Sequence, residues 1–142
     1  MDATGDRPAR LIGQLLRNAG VEAADVRYVL GHGNGVMQSD ASEINYMRRV
    51  FGDDASHIPL LSTKPIYGHT LGASVAVNVA AASLMAHHKF LIPTLNVDEK
   101  RTSAGVTHQP NRGKADSCDL GVVMGFGMGG QYATLLVGGV KA

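Results

Sequence analysis

The segment Ser62-Thr63-Lys64-Pro65-Ile66-Tyr67-Gly68-His69-Thr70-Leu71-Gly72-Ala73 constrains this chain most, because it joins a short apolar run to a long one through a polar turn. Pro59-Leu60-Leu61 ahead of it reads as a short buried strand. Leu71 to Ala86 is too long for a strand and rich in alanine, so it reads as a core helix covered on all sides. Lys64 and His69 lie in the turn, which puts His69 near a helix N-terminus.

The same grammar recurs upstream. Val26 to Leu30 reads as a strand running into Gly31-His32-Gly33-Asn34-Gly35, where glycine permits positive φ and a close approach to the backbone while the imidazole stays at the mouth of the sheet. A third glycine-rich stretch, Gly125 to Gly130, lies between the strand-like runs Leu120 to Met124 and Tyr132 to Val137. That separation is too small for a helical crossover, so these two strands are expected to pair antiparallel. Around these loops, residues 7–19 carry Leu11, Ile12, Leu15 and Leu16 on one stripe and end at Gly20, the pattern of an amphipathic helix. A second helix is expected from the cap candidates Ser39 to Glu43 as far as Phe51, with Gly52 as its stop. Phe90 to Asn96 reads as extended, and Asp98 to Asp116 as polar loop marked by Pro110, Asn111 and Gly113. Alternating strands and helices with functional loops at strand ends indicate an α/β layered fold, with residues 1–142 as one domain.

Composition narrows the function classes. A formal charge of +1 without a basic cluster gives no signal for nucleic acid or an anionic membrane surface. The polar stretch Met1 to Arg10 lacks the order of a signal peptide, and the run from Leu71 is too short to span a bilayer, so the expectation is a cytoplasmic protein. The single cysteine, Cys118, forms no internal disulfide, and the six histidines make no metal-ligand spacing with it. His87-His88 reads as a helix-end pair suited to the partial negative charge there.

Together the three loops resemble the C-terminal portion of a β-ketoacyl synthase, the condensing enzyme of fatty-acid and polyketide synthesis. The family's His-Gly-Thr-Gly-Thr is matched by His32-Gly33-Asn34-Gly35-Val36, followed at the family's spacing by Asp40 and Glu43; its lysine and second histidine fall on Lys64 and His69; its closing Phe-Gly-Phe-Gly-Gly-Thr-Asn falls on Phe126 to Tyr132. The resemblance implies the thiolase-like fold, a five-layered αβαβα body of two similar halves, of which this chain is most of the second. The first half and the second half's opening strand are then expected elsewhere.

By that resemblance His32 and His69 are the catalytic imidazoles that help decarboxylate a malonyl unit and stabilise its enolate, with Lys64 ordering their surroundings. Neutral imidazole suits this role because it donates a hydrogen bond where negative charge develops. The family's glutamate partner for that lysine is Asn78 here, so either Glu43 or Asp40 compensates or the lysine's role has changed. Asp40 and Glu43 themselves have two readings, support of the site or a favourable interaction with the helix dipole. The glycine loop implies an oxyanion-hole amide among Gly127 and Gly129 and a gate over the acyl pocket at Met128, beside Phe126, which reads either as pocket wall or as core. No cofactor is implied, since substrates ride on the phosphopantetheine of an acyl carrier protein. The implied partners are that carrier and a cysteine-bearing half or subunit, in a homo- or hetero-oligomer. Cys118 is no substitute nucleophile, because flanking acids disfavour its thiolate and it precedes a strand. The departures Asn34, Val36, Val75, Asn78 and Met128 leave a second reading open, a non-catalytic scaffold like the chain-length-factor partners of aromatic polyketide synthases.

Overall fold

The computed structural model describes residues 2–98 and 105–139. Helix α1 (Asp6–Ala19) ends on Gly20 at φ 64°, the left-handed stop expected there. It leads into β1 (Tyr28–Leu30), α2 (Met37–Phe51), β2 (Leu60–Leu61), the one-turn α3 (Lys64–Tyr67), α4 (Ser74–His88), β3 (Phe90–Leu91), β4 (Lys114–Ala115), β5 (Leu120–Gly127) and β6 (Gln131–Gly138). The main sheet has the order β2-β1-β5-β6. Strand β1 runs parallel to both β2 and β5, and β6 closes the edge antiparallel to β5. A small antiparallel pair, β3 with β4, lies apart from it.

Alternation along the strands sends side chains to two cores. Val29, Val122 and Met124 face α1 and α2 and pack with Ile12, Leu16, Tyr46, Met47 and Phe51. Tyr28, Leu30 and Val123 face the other way, onto Ala82 and Met85 of α4. The sheet is therefore the middle of three layers, and each large apolar side chain removed from water contributes about 1.5–3 kcal/mol.

Four local expectations need correction. The glycine loop is shorter than its composition suggests, because Gly125, Phe126 and Gly127 continue β5 and only residues 128–130 turn the chain. Helix α4 begins at Ser74 after a short 3-10 segment at Leu71–Ala73, since Leu71 takes a left-handed φ of 50° that the α-helix cannot accommodate. Its outer flank is open, not covered: Leu71 and Leu84 are 74% and 58% exposed. Helix α2 starts at Met37, ahead of Ser39, whose hydroxyl donates back to the Val36 carbonyl from inside the first turn. Of the expected polar loop, residues 99–104 lie outside the described residues. No described helix is long and apolar enough to cross a membrane.

Candidate functional site

Because β2, β1 and β5 run parallel, their C-terminal ends lie at one edge, the position where open α/β sheets bind ligands. Strand β1 delivers His32 there, β2 leads through Ser62 and Thr63 into Lys64 and His69, and β5 carries Phe126 one residue from its end. The two imidazoles meet edge to face, ring centroids 5.3 Å apart at 82°. Phe126 stacks on His32 at 5.1 Å and 13°, and Tyr132 closes on Phe126 from β6 at 5.0 Å.

His32 is held by its backbone. The buried Glu43 carboxylate accepts from the His32 and Gly33 amides and from the Tyr46 hydroxyl. Lys64 Nζ donates to the His32 carbonyl. Gly31 is required by this arrangement, since a Cβ there would stand 2.2 Å from Glu43 Oε1. Burial raises the Glu43 carboxyl's pKa, while the two amides and the phenol pull it down. Burial lowers the Lys64 pKa, and Glu43 and Asp40 oppose that. Glu43 and Asp40 are thus the acids whose charge acts on the ammonium where the family's glutamate is absent. Asn78 instead ties the two histidine-bearing loops together, accepting from Thr63 Oγ1 at 2.6 Å and donating to the Gly31 carbonyl at 3.2 Å.

The protonation states suit hydrogen-bond donation. Burial first, then the Lys64 charge and His69, pull the His32 pKa down to about 4, so its ring is neutral at pH 7. His69 Nδ1 accepts from the Leu71 amide at 3.2 Å and lies 3.1 Å from Ser74 Oγ. An N–H can only donate, so Nδ1 carries no proton and the neutral ring presents Nε2–H.

Other predicted residues stand apart from this cluster. Met128 is 96% exposed at the β5–β6 turn, where it covers no described pocket; Gly127 ends β5, and Gly129 takes a φ of 85° in the same turn. Asp40 lies in the first turn of α2 and lines a cavity beside Lys64. Cys118 is buried in the α4-side core, and burial, then Asp116, pushes its thiol up to about 11. Its thiolate is scarce at neutral pH. Among the described residues no group of three or more His, Cys, Asp or Glu is placed to hold a metal. Sequence reasoning missed Ser74, Thr63, Tyr46 and His108. Ser74 and Thr63 were legible in principle by their adjacency to His69 and Lys64, whereas nothing local marks His108.

The geometry brings two imidazoles together at the strand tips of a layered α/β sheet, and comparison with known proteins identifies the family. Residues 1–98 match the profile of the β-ketoacyl synthase C-terminal domain. The chain is 33% identical over 133 residues to 3-oxoacyl-[acyl-carrier-protein] synthase 2 of Rhizobium meliloti, covering 94% of this chain and 31% of that protein. It is 32% identical over 133 residues to the tetracenomycin polyketide synthase ketoacyl synthase alpha subunit of Streptomyces glaucescens, covering 93% and 31%. Among solved structures, a type II polyketide ketosynthase in complex with its acyl-carrier protein superposes with a TM-score of 0.93 at 27% identity, over 99% of this chain and 34% of that one. The ishigamide ketosynthase/chain length factor follows at 0.89 and 28%, over 97% and 34%. The fold is the thiolase-like one. This chain belongs to the β-ketoacyl synthase family and carries its C-terminal portion, spanning about a third of the length of these relatives.

Proposed function

We propose that this chain supplies the histidine pair of a β-ketoacyl synthase whose nucleophilic cysteine lies on another segment or chain. In the reaction a malonyl thioester loses carbon dioxide, and the electron pair of the broken C–C bond becomes an enolate with negative charge on the thioester oxygen. The His69 Nε2–H and the neutral His32 ring stabilise that charge. The enolate carbon then attacks the acyl thioester on the cysteine, forming the new C–C bond and releasing the thiolate. Substrates ride on the phosphopantetheine of an acyl carrier protein, no cofactor is carried by the chain, and the setting is cytoplasmic. The observation that carries this reading is the 5.3 Å meeting of two imidazoles, one neutral by its environment and one held in the donor tautomer.

The alternative, a scaffold subunit that shapes a pocket beside an active ketosynthase, draws support from Asn34, Val36, Val75, Asn78 and Met128, and from the likeness to a ketosynthase/chain length factor. The experiment that separates them adds a cysteine-bearing partner half and measures carbon dioxide release from malonyl-loaded carrier protein. Loss of release in both His32→Ala and His69→Ala supports the catalytic reading. Release retained in the double variant overturns it in favour of the scaffold.

A further inference from the structure

The two imidazoles reach one spot from separate loops, so the gap between them depends on what joins those loops. His32 follows β1, and Glu43 of α2 and Lys64 of α3 grip its backbone. His69 lies beyond α3, in the turn before α4. Helix α4 touches both sides. Ser74, its first residue, holds Oγ 3.1 Å from His69 Nδ1. That nitrogen carries no proton, so the hydroxyl is the donor and shares the lone pair with the Leu71 amide. Asn78, 1% exposed, follows four residues later. A carbonyl only accepts, so its Nδ2 faces the Gly31 carbonyl at 3.2 Å, and its Oδ1 takes the Thr63 hydroxyl at 2.6 Å. Gly31 precedes His32 directly. By contrast Ser83, the other polar residue in the middle of the helix, spends its hydroxyl on the Val79 carbonyl of α4 itself.

Residues four apart share a helix face and stand about 6 Å apart along its axis. Ser74 and Asn78 are therefore two fixed points on one rigid turn, one bonded to the His69 ring and the other to the backbone that carries His32. We propose that Ser74 and Asn78 are positioning residues that together set the spacing of the two imidazoles, with the first turns of α4 as the spacer. The assignment rests on the reading that the pair stabilises an enolate, and adds which side chains keep the pair at working distance. Spacing matters because two donors serve one oxygen only when both come within hydrogen-bond reach of it. A spacer works only while both ends are attached. Releasing either end frees the gap, and releasing the second then adds little.

The test is a double-variant cycle on Ser74→Ala and Asn78→Leu, read in two ways. In the full chain alone, with ring-labelled histidines, the through-space NMR cross-peak between the His32 and His69 rings is expected to weaken in each variant. With the cysteine-bearing partner, carbon dioxide release from malonyl-loaded carrier protein should lose roughly ten- to a hundredfold in kcat in each single variant at little changed KM, the scale of a catalytic group displaced by up to an ångström. The double variant should be little worse than the poorer single one, a coupling between two residues that a purely structural role does not produce. Should Asn78→Leu fail to fold, Thr63→Val takes its place, since it deletes only the donor that orients the Asn78 amide. An unchanged cross-peak in either variant, single losses that multiply in the double variant, or a loss carried by KM overturns the proposal. If the wild type with its partner releases no carbon dioxide, the proposed function falls and the cross-peak alone decides the spacer. If the wild type is active and the losses multiply, only the spacer falls.

Discussion

Glu43 shows how much of the site rests on single atoms. Its carboxylate is 2% exposed and receives three donors, two of them the amides that set the position of His32. Glutamine at this position supplies one acceptor oxygen and turns two N–H bonds toward donors. Glu43→Gln is therefore expected to cost about 2–4 kcal/mol of stability, read as a lower urea midpoint at unchanged m-value. Asp40→Asn, in the first turn of α2 on a partly exposed residue, should cost under about 1 kcal/mol. A second residue-scale expectation concerns pH. The folded-state pKa of His32 is about 4 against an ordinary 6.5, so between these values the unfolded chain binds more protons than the folded one. Stability from this group is complete above pH 6.5 and is lost as pH falls toward 4, by up to about 3 kcal/mol. Burial raises the Asp40 and Glu43 carboxyls, which act in the opposite sense. The check is the difference between wild type and His32→Gln in urea midpoints from pH 4.5 to 7.5. The wild type should lose more stability on acidification, and parallel curves would contradict the assigned cause.

At the scale of elements, α4 comes closest to β5 at Gly125, where an added Cβ would stand 2.3 Å from Val75 Cγ2 but 3.8 Å from its Cβ. Gly125→Ala is expected to destabilise by about 1–3 kcal/mol. Combining it with Val75→Ala removes the clashing methyls, so the double variant should be more stable than Gly125→Ala alone, a sign reversal that a thermal melt detects. This contact also marks where legibility ended. The sequence announced a glycine-rich stretch, but glycine signals a turn and a close approach with the same residue, and only the partner element distinguishes them. Gly125 serves Val75 and stays in the strand, whereas Gly129 and Gly130, at φ 85° and 78°, make the turn. Strand pairing, the helix stop at Gly20 and the convergence of His32 with His69 were readable because hydrophobic period, a local cap and motif spacing are written in neighbouring residues. His108 was not. Its place beside Asp40 depends on the chain returning to pair with β2 through the Leu60 to His108 bridge, a long-range event that no local pattern encodes.

At the scale of the whole molecule, the chain spans about a third of the length of its relatives, and α4 carries an exposed apolar side. One side of the helix packs Ala82 and Met85 into the core, yet the outward side repeats Ala76, Ala80 and Leu84 at helical spacing, with Leu71 preceding them. Leu71 and Leu84 are 74% and 58% exposed, and Ile66 and Tyr67, a few residues ahead of Leu71, are 39% and 62% exposed. Exposed apolar side chains along one helix side, with alanines that permit close helix approach, favour association. The isolated chain is thus expected to self-associate at tens of micromolar, roughly the range where modest interfaces populate dimers. Leu84→Glu should return it to monomer, and since this side chain contributes little to the core, the melting temperature of the monomer should change little. Sedimentation velocity across a concentration series decides the matter. A wild-type chain that remains monomeric throughout would mean that the flank is too small to drive association, and a Leu84→Glu chain that associates as before would locate the contact elsewhere. If the proposed cysteine-bearing partner covers the same flank, adding it should compete with self-association, and an unchanged monomer–dimer balance would place that partner elsewhere.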